Sequence, residues 1–82
     1  MYAGIIDVEV MDDYKLLLLF DNQEQRVFDF KPLLSFGRFC ELRDYLLFKQ
    51  VHVSFDTIEW ENGLDLDPEY LYKESSLVSL SH

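Results

Sequence analysis

Apolar and polar positions alternate through the first thirty residues, and the alternation predicts three strands. Ile6, Val8 and Val10 alternate with Asp7 and Glu9, which gives a strand over residues 4–10. Met11-Asp12-Asp13 supplies a turn. In the next strand Tyr14, Leu16, Leu18 and Phe20 fall on one face, and Lys15, Leu17 and Leu19 on the other. Both faces are therefore apolar over residues 16–19. That pattern suits a central strand, or one whose second face meets another subunit. Asp21-Asn22 reads as a hairpin turn, and residues 25–30 as a third strand with Phe28 and Phe30 on one face. Pro32 ends it, because proline has no N–H for the ladder.

The period then changes. Leu33, Leu34 and Phe36 read as an apolar loop or single turn over the core, and Gly37 breaks the chain. Phe39, Cys40, Leu42 and Leu46 recur at helical spacing over residues 38–46, with Glu41, Arg43 and Asp44 outside. Val51, Val53 and Phe55 alternate with His52 and Ser54, a fourth strand. Asp56-Thr57 turns into a fifth over residues 58–60. Asn62-Gly63 is a turn signal. Asp67-Pro68-Glu69 opens a helix that runs to about residue 73: Asp67 can cap, Pro68 fits the first helical position, and Glu69 complements the helix dipole. Leu66 and Leu71 stand at the two positions of a hydrophobic staple. Trp60, Leu64, Leu66, Leu71 and Tyr72 are assigned inward.

Short hairpins make neighbouring strands antiparallel, and the helices are segregated from them. The expected fold is α+β: a single small two-layer domain over residues 1–74, with one antiparallel sheet. The element order is strand, strand, strand, helix, strand, strand, short helix, followed by a C-terminal tail over residues 75–82 with weak Leu77/Leu80 spacing.

The run Trp60…Asn62-Gly63-x-Asp65-Leu66-x-Pro68-Glu69-x-Leu71-Tyr72 resembles the C-terminal signature of a small bacterial family known as domain of unknown function 2442. The Tyr14-x-Leu16…Phe20 strand, Phe28-Asp29, Phe39-x-x-Leu42 and Val51-x-Val53 fit the same pattern, so the resemblance spans residues 4–73. It implies no activity and no catalytic residues to carry over. Family genes neighbouring small toxin-like proteins make an antitoxin-like regulatory role one expectation.

Composition adds a compartment and a charge. The 82 residues carry a net charge of −9, with 49% hydrophobic and 16% aromatic residues. A chain of this size buries about 60–65% of its extended surface, enough for one modest core. The longest apolar run, residues 16–20, is far too short to span a membrane. A lone Cys40 and the lack of a secretory pattern at the N-terminus point to the cytoplasm. Residues 1–55 hold nine acids and six bases; residues 56–82 hold seven acids and one base. Such a chain repels phosphate backbones and attracts basic proteins, so direct nucleic-acid and membrane contact are not expected. The bland alternative is that the acids only keep the domain soluble.

The candidate chemistry is thin. Asp65, Asp67 and Glu69 are the weak metal candidates, and they also frame the alternative reading of a small metal-dependent or carboxylate-using enzyme. The run begins like an EF-hand loop but lacks its closing glutamate. A capped helix with solvated acids explains the same residues. Cys40 reads as a buried, inert thiol, and His52 as a solvated or partner-facing imidazole. No nucleophile–base array or phosphate loop is present, so no catalytic residue and no cofactor is assigned. The expected function is a small non-enzymatic interaction module with a protein partner, a basic one by charge or a second copy. The contact candidates are Leu17, Leu19, Glu59, Glu61 and Tyr70.

Overall fold

The computed structural model describes residues 3–78. Seven strands, two 3-10 helices and two short α-helices form an α+β domain with two antiparallel sheets instead of the single sheet expected. The first sheet has the order β1-β2-β3-β7, from β1 (Ile5–Met11), β2 (Lys15–Phe20), β3 (Gln25–Asp29) and β7 (Ser76–Leu77). The second has the order β4-β5-β6, from β4 (His52–Ser54), β5 (Thr57–Glu59) and β6 (Asp65–Leu66).

The alternation in β2 sets the layering. Leu16, Leu18 and Phe20 are fully buried, and Leu17 and Leu19 are only half-buried on the opposite face. Around the buried three gather Ile5, Phe28, Phe30, Leu34, Leu42, Phe48, Ile58, Trp60 and Leu71. The core therefore lies between the inner face of the first sheet and a layer built from the helices and the second sheet. Its centre is aromatic. The Trp60 ring lies 5.2 Å from Phe30 and 6.1 Å from Phe48, and its Nε1–H donates to the Phe48 carbonyl at 3.0 Å. That bond satisfies the one polar atom the indole takes into the core.

The middle of the chain departs from the expected nine-residue helix. Two 3-10 helices, Lys31–Ser35 and Gly37–Arg43, are followed by one turn of α-helix, α1 (Tyr45–Phe48). Asp44 divides them. It is extended, and its side chain accepts the Leu46 N–H at 3.1 Å as an N-cap. Leu42 and Phe48 face in, but Leu46 is 71% exposed and Cys40 is exposed too. The expectation of a buried thiol is thus overturned: with three residues per turn, the register set by Leu42 turns Cys40 outward.

The second helix forms as its signals predict. In α2 (Pro68–Glu74) the Asp67 side chain accepts the Glu69 N–H at 3.2 Å, Pro68 leads, and Leu71 is buried. The expected tail begins differently: Ser76 and Leu77 pair with Val27 and Arg26 as β7. Residues 79–82, including Leu80, lie outside the described residues.

Candidate interaction surface

Hairpin register places three acidic or polar side chains around two leucines. Asp7 pairs with Leu19, Glu9 with Leu17, Leu17 with Val27, and Leu19 with Gln25. Paired residues share a face, so all of these lie on the outer side of the first sheet. Asp7, Glu9, Leu17, Leu19 and Gln25 line an open depression of about 100 Å³. Its floor is apolar and its wall carries two carboxylates. Sequence reasoning found Leu17 and Leu19 but missed Asp7, Glu9 and Gln25; the alternation of Asp7 and Glu9 with Val8 and Val10 was the available signal. The Asp7 carboxylate also accepts the Val8 N–H at 2.9 Å. With the register shift between Ile5 and Asp7, this blunts the β1 edge against further strand addition.

A second acidic face lies on the other sheet. His52 pairs with Glu59, and Glu59 with Asp65. The His52 imidazole stands 3.7 Å from Glu59 and 3.6 Å from Glu61. Glu59 and Glu61 therefore converge on one exposed ring. Tyr70 is partly exposed at 38%, with its ring 6.1 Å from Phe28.

Asp65, Asp67 and Glu69 are not brought together. Asp65 is an exposed position in β6, Asp67 caps α2, and Glu69 reaches Lys73 at 3.9 Å. Among the described residues no group of three or more His, Cys, Asp or Glu is gathered as a metal would require. None of their helices is long and apolar enough to cross a membrane.

The hairpin between β4 and β5 holds the largest departure from expectation. Residue 55 was assigned to the apolar face of a strand; instead Phe55 and Asp56 are the two turn residues, with φ +49° and +70°. A two-residue loop with both φ positive is a type I′ turn, normally Asn-Gly or Asp-Gly. Here the first place holds a phenylalanine that is 98% exposed. Left-handed backbone costs a non-glycine residue about 1–2 kcal/mol. The turn is tied to the sheet: Ile5 N–H donates to the Asp56 carbonyl at 2.8 Å. Gly4 lies against Asp56 so closely that an added Cβ would sit 3.0 Å from the Asp56 Cβ. The sequence places this turn one residue later, at Asp56-Thr57, because the apolar alternation of Val51 and Val53 continues into Phe55.

Two further turns share one plan. Gln23 N–H donates to the Phe20 carbonyl at 3.0 Å, and Gly63 N–H to the Trp60 carbonyl at 2.9 Å. Asn22 and Asn62 side chains accept the N–H of Glu24 and Leu64 at 3.1 and 3.2 Å. The left-handed residue is Gln23 in one and Gly63 in the other. The second turn is also held from outside. Glu41 accepts the Asn62 amide at 2.9 Å, and Arg38 donates to the Asn62 carbonyl at 3.0 Å. The Asn62 hydrogen bond, and after it the one from Arg38, hold the Glu41 carboxyl below its ordinary pKa. Lys31 does the same for Asp13, at 2.8 Å.

These features define a small α+β domain with an acidic surface and an open apolar depression on its sheet. The family model for proteins of unknown function DUF2442 matches residues 5–76, and the chain belongs to that family. No curated protein and no solved structure matches the chain.

Proposed function

We propose that this domain is a non-enzymatic interaction module that receives a basic segment of another protein on the outer face of its first sheet. The observation that carries the reading is the depression over Leu17 and Leu19, walled by Asp7 and Glu9. A lysine or arginine can lay its aliphatic stem on the leucines and its cation against the carboxylates. The net charge of −9 draws such a partner in. A second copy fits less well, because a symmetric contact sets Asp7 and Glu9 of one copy against acids of the other. Covering a basic protein surface suits a regulatory or antitoxin-like role. The exposed, free Cys40 favours the cytoplasm, where such a thiol stays reduced.

The test is the double variant Leu17→Lys, Leu19→Lys, used as bait in host lysate beside the wild type at low and high salt. A basic protein retained by the wild type at low salt, released at high salt and lost by a folded double variant is the expected result. Failure of the double variant to fold would make this face core and end the reading. Retention unaffected by the substitutions would end it too.

A further inference from the structure

We infer that Phe55 is a pre-set anchor that inserts into an apolar pocket with a basic rim on a partner protein. The inference rests on the reading of the domain as an interaction module and assigns it a second contact, away from the Leu17/Leu19 depression. Three independent features converge on this side chain. Its ring is 98% exposed, so it contributes almost nothing to the core. Its backbone is left-handed at φ +49°, a conformation that a bulky side chain disfavours and that Asn or Gly would adopt with less strain. The turn is nevertheless fixed, by the Ile5–Asp56 hydrogen bond and by the close approach of Gly4. A strained, unburied aromatic on a fixed turn works against folding stability. It suits a binding anchor, because a turn whose backbone is already fixed loses little freedom on docking.

Charge selects the partner. The segments that meet at this turn are residues 3–11, 20–24 and 52–59, linked by the Ile5–Asp56 bond and by the Asp21 N–H donating to the Gly4 carbonyl at 2.8 Å. Of the residues that these bonds bring together, Asp21 and Asp56 are acidic and none is basic. A pocket rimmed by lysine or arginine is attracted to that tip. A second copy is not: the depression on the first sheet would set its own Asp7 and Glu9 against Asp56.

The test compares full-length wild type, Phe55→Asn and Phe55→Tyr. Asparagine tolerates the left-handed region, so Phe55→Asn is expected to raise Tm by about 2–6 °C. Each protein then serves as bait in host lysate. Basic proteins retained by the wild type are identified, produced separately and titrated by calorimetry. The expected result is a basic protein whose Kd weakens about 30-fold or more with Phe55→Asn and stays within about fivefold with Phe55→Tyr. A fall in Tm for Phe55→Asn would assign Phe55 a structural role and overturn the inference. So would retention of no basic protein that depends on Phe55. Phe55-dependent self-association in sedimentation, or Phe55-dependent binding to phosphatidylglycerol vesicles, would replace the partner by a second copy or a lipid surface and overturn it as well. If the Leu17/Leu19 double variant loses the basic protein and Phe55→Asn keeps it, the sheet-face reading stands and the anchor alone fails. The reverse pattern leaves the anchor standing alone.

Discussion

Trp60 and Phe55 flank the same three-residue strand, β5, and meet opposite fates. Trp60 is 1% exposed, packed at a tilt against Phe30 and Phe48 and hydrogen-bonded to a core carbonyl. Phe55 is 98% exposed on a left-handed turn. The turn beyond Trp60 follows the sequence rules, with Asn62 closing it and Gly63 at φ +87°. The turn at Phe55 breaks them. One aromatic thus stabilises the fold, and the other is carried at its expense. When two like side chains a few residues apart differ this much, the unburied one is the place to look for contact with something outside the molecule.

The comparison breaks most sharply at Trp60. Trp60→Ala removes the largest fully buried side chain and strands the Phe48 carbonyl. It should destabilise by about 3–5 kcal/mol, a large share of the roughly 4–12 kcal/mol that a domain of this size has, and the urea unfolding midpoint should fall steeply. If Trp60→Ala melts like the wild type, Trp60 is not the centre of the core and the contrast with Phe55 collapses.

A smaller effect separates the two well-formed turns. An added Cβ at Gly63 meets nothing within 4 Å, so Gly63→Ala tests conformation alone. After the reduced freedom of the unfolded chain offsets part of the left-handed penalty, about 1 kcal/mol of destabilisation remains, a fall in Tm of roughly 4–8 °C. Gln23→Gly is the mirror experiment in the sister turn. It should stabilise by somewhat less than about 1 kcal/mol, because glycine's unfolded-state entropy opposes the gain. Equal and opposite shifts would show the two turns to be interchangeable; a loss with Gln23→Gly would mean that Gln23 makes a contact that matters more than its φ.

What was legible in the sequence follows the same division. The first three strands, the Asp67-Pro68 cap, the buried Trp60 and the two-faced apolar strand were readable because each rests on local periodicity or local capping chemistry. The 3-10 segments were not, since Phe39, Leu42 and Leu46 satisfy helical spacing even though the chain is interrupted at Asp44. Nor was the separation into two sheets, which depends on which short strands pair at a distance: Leu66 against Ile58, and Ser76 against Val27. Leu17 and Leu19 could be found from β2 alone, but the acids beside them needed the register of β1. Phe55 was invisible because apolar alternation through Val51 and Val53 continues through it, and only the pairing of Ser54 with Thr57 makes it a turn residue.

The smallest expected effect sharpens the ordered end of β5. Glu41 braces the Asn62 turn from the neighbouring 3-10 helix, and its folded-state pKa lies below the ordinary 4.5 because the ionised form accepts from Asn62 and Arg38. A depressed carboxyl contributes stability that is present above the unfolded pKa and lost as pH falls through the folded one. Glu41→Gln should therefore melt slightly below the wild type at pH 7, and the gap should close as pH is lowered well below 4.5, where the wild-type carboxyl is protonated too. The side chain is solvent-exposed, so salt should shrink the gap at pH 7 as well. Melting curves of both proteins across that pH range, at low and high salt, read the effect directly. A gap that stays constant with pH would mean that the brace acts through the neutral hydrogen bond to Asn62 alone, a bond that the glutamine preserves only if its amide turns its oxygen toward the Asn62 side chain.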